Sequence, residues 1–201
     1  RQVTFNKVYK EYVVDHPERN QIIKLKAEDE AKKHRQVLIL VKHIRHVENL
    51  KALLPNAESM DGRMSAKVRT EILSRFKTKQ FQILIATTLA DEGLDVPNLD
   101  VLILAGGGKS KTKTLQRIGR VIRLGDICPQ CQSVHIRIVN RYEPCLCLDC
   151  GHQFEYHGKD QAIIYDFCDN AKWLYDHYLI RKGIYETEEE FKFSYINVKI
   201  Q

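Results

Sequence analysis

Four short runs with almost no polar interruption constrain this chain most. They are Val37-Leu38-Ile39-Leu40-Val41, Phe81 to Ala86, Asp100 to Leu104 and Gln161 to Asp166. Runs of that length, rich in branched aliphatics, suit strands buried on both faces of a parallel sheet. Helical patterns lie between them. Lys42 to Leu54 places Ile44, Val47, Leu50 and Leu54 on one side, and Pro55 ends it. Ala57 to Met60 reads as a short strand before Asp61-Gly62. Ser65 caps a helix to about Lys77 with Val68, Ile72, Leu73 and Phe76 inward. Alternation of this kind predicts a parallel α/β sheet flanked by helices.

The ends of the chain are less strongly patterned. Arg1 to His34 reads as helical, with Pro17 after Asp15-His16 at a helix start and a charged run to Lys33 as a solvated face. Asn170 to Lys182 reads as a helix. Glu190 to Val198 reads as a terminal strand because Phe191, Phe193 and Tyr195 alternate. His43 and His46 lack metal-ligand spacing and are expected at the surface or in a cap. Trp173, Tyr175 and Tyr178 are expected to pack in the core or at its rim, and Cys168 to be buried.

The formal charge is +6. The segment 105–124 holds Lys109, Lys111, Lys113, Arg117, Arg120 and Arg123 and no acid, so the basicity is local and points at a polyanion. Gly106-Gly107-Gly108-Lys109-Ser110 has the ending of a phosphate-binding loop. The full pattern needs a further glycine where Ile103 stands, so it reads as a mobile basic loop near nucleic acid or phosphate. Arg120 and Arg123 are three apart and share a helix face. Guanidinium groups on a rigid helix suit the charge on a transferring phosphoryl group, or else form a solvated basic face.

Five of the six cysteines fall between Cys128 and Cys150. Cys128-Pro129-Gln130-Cys131 and Cys147-Leu148-Asp149-Cys150 are separated by fifteen residues, the spacing of a four-cysteine zinc site. Each pair points two thiolates at one ion, which gives a closed, structural tetrahedron. Cys145 is a spare that could replace Cys147, and His152 ranks below the four cysteines. Val134 to Tyr142 and Gln153 to His157 read as the arms of a ribbon. The segment 126–158 carries two arginines against four acids, so it is no phosphate-grabbing surface overall. Contact with DNA through Arg137, Arg141 and Tyr142, contact with a protein partner, a wedge at a fork and a stapled ornament all stay open.

Gln116, Gly119, Arg120 and Arg123 have the Gln-x-x-Gly-Arg-x-x-Arg spacing of motif VI in superfamily 2 helicases. Ile85 to Pro97, with Thr87-Thr88, Glu92-Gly93 and Asp95, resembles motif V of the same family. Nearly the whole chain outside the cysteine segment is similar to the second RecA-like domain of such helicases. The likeness is greatest to the phage recombination or branch-migration and excision-repair types. The resemblance implies a discontinuous RecA-like domain (1–125 and 159–201) with a zinc-ribbon insertion (126–158).

The same likeness implies an ATP-dependent helicase or translocase that acts on branched or double-stranded DNA, with low sequence specificity, in recombination, repair or replication. Arg120 and Arg123 would be fingers reaching the γ-phosphate, and Gln116 would sense the nucleotide. Gly93 and Asp95 would line the nucleotide and domain interface, unless Glu92 and Asp95 only cap the following turn. Thr87, Thr88, Lys109 and Lys111 would meet the nucleic-acid backbone. The P-loop and Asp-Glu box that hold ATP and Mg2+ are not in this sequence. They are expected on an N-terminal RecA-like domain of the same protein, and the fragment alone should be inactive. The opening Arg1-Gln2-Val3-Thr4 fits a cut piece of a longer chain. The expected location is the cytoplasm, a phage host's cytoplasm or a eukaryotic nucleus, with no membrane span. A binding module on a degenerate RecA-like fold, or the translocase subunit of a restriction system, are the competing readings.

Overall fold

A computed structural model describes residues 3–87, 96, 99–108, 110, 119, 126–140, 142–157, 161–189 and 191–198. Five parallel strands form the main sheet. They are β1 (Val37–Val41), β2 (Glu58–Met60), β3 (Ile83–Thr87), β4 (Val101–Leu104) and β8 (Ile163–Asp166), in the order β2-β3-β1-β4-β8. β1, β3 and β4 are buried at every position, as their apolar runs demand. Successive side chains of a strand point to opposite faces. One face therefore gathers Leu38, Leu40, Leu84, Ala86, Leu102 and Leu104 against Ile72 and Phe76 of α4 (Ala66–Lys77). The other gathers Val37, Ile39, Ile85 and Ile103 against Ile23 and Ala27 of α2 (Pro17–Ala31) and Val47 and Leu50 of α3 (Ile44–Leu53).

Local signals set the helix ends. Pro17 opens α2, and the His16 side chain accepts the Arg19 backbone N–H at 3.4 Å. The Ser65 hydroxyl accepts the Val68 N–H at 3.4 Å to start α4. Before α2, a short helix α1 (Phe5–Tyr9) runs into a π-helical turn over Lys10–Val14. Val8, Tyr9, Val13 and Val14 of this segment pack on Leu174, at the start of α5 (Leu174–Tyr185). The segment 126–157 holds a second, antiparallel sheet. Its strands are β5 (Ile136–Arg137), β6 (Cys145–Cys147) and β7 (Gln153–Phe154), in the order β5-β6-β7. Among the described residues no helix is long and apolar enough to cross a membrane.

Several expectations need correction. His46 is fully buried, not superficial: its Nε2 donates to the Asn20 Oδ1 at 2.9 Å, beneath α2. Glu30 lies in the charged run yet is buried, holding Arg35, Lys33 and the Tyr165 hydroxyl. Val68 is 43% exposed because it sits in the first turn of α4, before the helix settles on the sheet. The sequence 191–198 forms no strand. Phe193 instead rests on the Tyr185 ring at 6.3 Å, and Tyr195 and Ile196 stay exposed. Cys168 is exposed, just beyond an edge strand that is only half-buried. The ribbon has a middle strand, β6, where only two arms were expected.

Candidate nucleotide edge and metal centre

Ligands of open parallel sheets bind beyond the carboxyl ends of the strands, where the strand order reverses. Here that point lies between β1 and β4. Gly106 is pressed against the end of β1: a Cβ there would lie 2.8 Å from the Lys42 nitrogen. Its own N–H donates to the Leu40 carbonyl at 2.8 Å. The Tyr9 hydroxyl donates to the Gly106 carbonyl at 2.6 Å, and the Arg181 Nη1 donates to the Gly108 carbonyl at 2.8 Å. Gly107 and Gly108 take φ of +57° and +130°, which side-chain-bearing residues rarely adopt. The start of the glycine loop is thus clamped from both sides, against the expectation of a mobile loop over these three residues.

Asp166, at the end of β8, anchors the clamp. Arg181 grips it through Nε at 2.7 Å and Nη2 at 3.0 Å, and the Tyr185 hydroxyl donates to it at 2.8 Å. Burial alone would lower the Arg181 pKa, but Asp166 holds it above its ordinary value. Asp169 is similarly matched by Arg19, whose Nε donates at 2.7 Å. Sequence reasoning gives Tyr9, Asp166, Asp169 and Arg181 no role in the site, and it singles out Arg19 only with Asn20, Ile22 and Ile23, for their resemblance to the lead-in helix of phage and excision-repair type helicases. The signal for Asp166 is an acid at the end of an apolar run.

Thr87 ends β3 at the same edge. It is buried, and its Oγ1 has no hydrogen-bond partner among the described residues. Thr88, Gly93, Asp95, Lys109, Lys111, Gln116, Arg120 and Arg123 lie outside the described residues.

The four cysteines do converge. One sulfur each from Cys128, Cys131, Cys147 and Cys150 lies within 4.8 Å of all the others. The Cys128–Cys150 and Cys131–Cys147 sulfurs are both 3.6 Å apart. A zinc tetrahedron with bonds of about 2.3 Å needs sulfurs about 3.8 Å apart, so the set fits the ion. Two matching turns bring this about. The Gln132 N–H donates to the Cys128 carbonyl at 2.9 Å, and the Gly151 N–H to the Cys147 carbonyl at 3.0 Å. Gln132 and Gly151 each follow a second cysteine with φ of +60° and +73°.

Electrostatics agree with a cation at the centre. Burial pushes the Cys147 thiol up, but the Cys150 and Asp149 N–H groups outweigh it and bring the thiol to about 6. The Ser133 N–H draws the Cys131 thiol down, yet its sulfur neighbours drive it up to about 12. Sulfurs this close cannot all ionise without a positive charge among them. Cys145 is buried in β6 outside the cluster, and the His152 ring stacks on Phe154 at 5.9 Å.

The model for the helicase conserved C-terminal domain matches residues 18–125, more than half of the chain. The chain belongs to that family. A putative helicase of a Sulfolobus islandicus filamentous virus is 37% identical over 91 residues, 43% of this chain and 16% of the viral protein. The DNA 3'-5' translocase XPB2 of Sulfurisphaera tokodaii is 41% identical over 58 residues, 29% of this chain and 13% of the translocase. Nucleolar RNA helicase 2-A of Xenopus laevis is 35% identical over 74 residues, 37% of this chain and 10% of that helicase. The matched stretch is thus a small part of each relative. Among solved structures, T4 UvsW superposes with a TM-score of 0.62 at 21% identity, over 93% of this chain and 36% of its own. That likeness shows the fold.

Proposed function

We propose that this chain is the second motor lobe of an ATP-dependent superfamily 2 DNA helicase or translocase. The family match over residues 18–125, which includes the Gln116 to Arg123 stretch, carries the reading. In it, Arg120 and Arg123 meet the γ-phosphate of ATP held with Mg2+ on an N-terminal RecA-like domain, and Gln116, Gly93 and Asp95 complete that face. Thr87, Thr88, Lys109 and Lys111 touch the nucleic-acid backbone, which positions a strand without reading its sequence. The Thr87 hydroxyl, buried and without a hydrogen-bond partner among the described residues, supports this, since a small shift of the edge would offer it a phosphate oxygen. Closing and parting of the lobes would move the strand stepwise. The chain divides into a RecA-like body (1–125 and 159–201) and a zinc ribbon (126–158), in which zinc supplies structure and no chemistry.

DNA is favoured because the Sulfurisphaera relative is named as a DNA translocase. The resemblance of motifs V and VI to helicases of recombination and repair supports a role in those processes. The test is ATP hydrolysis by the full-length protein with DNA or with RNA of matched sequence. Stimulation by DNA of at least tenfold over RNA is expected. Greater stimulation by RNA would move the substrate to RNA, and no hydrolysis with either would remove the motor reading.

A further inference from the structure

The clamped glycine loop forms one wall of a cavity of about 390 Å³ at the carboxyl ends of β1 and β4. Phe5, Tyr9 and Val13 from the N-terminal helical segment and Trp173 from the start of α5 form the facing wall. Lys42, Asp169, Leu174, His177 and Arg181 complete it. The volume falls in the usual range for small-ligand sites.

Three observations define what would fill it. The first is charge. Lys42 Nζ lies 5.7 Å and 5.5 Å from the Phe5 and Tyr9 ring centroids and makes no ion pair among the described residues. The nearby acids are already matched, Asp169 by Arg19 at 2.7 Å and Asp166 by Arg181 at 2.7 Å. An anionic group is therefore favoured beside Lys42. The second is the apolar wall, in which the Phe5 ring is tilted 36° to Tyr9 and stands edge-on to Trp173 at 68°, so a base would meet ring edges as well as faces. The third is strain. Trp173 takes φ of +64°, a conformation that bulky residues avoid and that collects at ligand clamps.

We propose that this cavity takes one unpaired nucleotide of a nucleic-acid strand, with its base against the Phe5–Tyr9–Trp173 wall and its phosphate at Lys42. The inference rests on the nucleic-acid reading above and adds to it a contact with a base. A base within a duplex is stacked and paired, so the site selects single strands or frayed ends. Tyr9 and Arg181 hold the loop side of the cavity in place.

Trp173 is the single tryptophan of the chain, so its fluorescence reports this cavity. The zinc-loaded chain of 201 residues is titrated with a short oligothymidylate and with an abasic strand of equal length. The base-bearing strand is expected to quench Trp173 and to bind about tenfold more tightly than the abasic strand, within the range for one stacked base. Lys42→Ala, at an exposed position, should lower the slope of log K against log salt by about 0.7, the mark of one lost single-strand phosphate contact. Equal affinities with unchanged emission would overturn the base site and leave nucleic-acid binding intact. An unchanged salt slope in Lys42→Ala would overturn the phosphate's placement. Binding of neither strand would remove nucleic-acid binding by this lobe, and the proposal with it.

Discussion

In the five-stranded sheet, β1, β3 and β4 are buried at every position and helices cover both faces. In the small sheet, β5 and β7 have two residues each, and the only buried strand positions are Cys145 and Cys147. The first region removes enough apolar surface from water to hold itself together, at about 25 cal/mol per Å². The second has almost nothing to bury, and Val139, Tyr142 and Leu148 are exposed. What it has instead is four sulfurs within 4.8 Å. One chain thus uses two sources of order, and the two should fail independently.

Removing zinc should show the largest difference. A chelator is expected to unfold residues 126–157 and leave the main sheet folded, since structural zinc supplies about 10–16 kcal/mol in small domains. Amide exchange by region reads the outcome, and joint unfolding of both sheets would break the comparison. The converse change is Arg181→Ala. Arg181 is buried and the Asp166 side chain is 9% exposed, and stripping one partner from such a largely buried pair costs about 3–5 kcal/mol. The melting temperature of the sheet should fall while the zinc content stays at one ion per chain.

Acid should also act on the sheet side. Burial of His46, followed by the charge of Arg19, brings its pKa down to about 3. The unfolded chain then binds the extra proton first, so this stability is whole above about pH 6.5 and drains away as pH falls toward 3. About 2 kcal/mol should be lost by pH 5 on this account, and the loss should shrink in His46→Gln. A denaturant series at pH 7 and pH 5 measures it. The smallest effect is expected at Val68, which is 43% exposed. Val68→Ser should change stability by less than about 0.5 kcal/mol, whereas a core position would lose far more.

The sheet was legible because burial on both faces leaves a mark that needs no partner: Val37 to Val41 can only be a buried strand. The metal centre was legible for a similar reason, since Cys-x-x-Cys spacing is local geometry. What escaped were polar groups whose partners are distant in sequence. Arg19 meets Asp169 and Glu30 meets Tyr165 across 150 and 135 positions. Nothing around His46 announces that Asn20 will cover it. The aromatic alternation of Phe191, Phe193 and Tyr195 misled because alternation marks a strand only when a sheet edge receives it. The Tyr9 and Arg181 clamps on the glycine loop escaped likewise, because each joins segments that fold together only when the sheet closes.

In the proposed function this chain completes an ATP site with the Gln116 to Arg123 stretch. The most direct test is nucleic-acid-stimulated ATP hydrolysis by the full-length protein, wild type beside Arg123→Ala, with nucleic-acid binding followed in parallel. An arginine finger predicts a rate loss of at least about a hundredfold with binding retained. Equal rates in the two proteins would contradict the account and leave the chain a binding module.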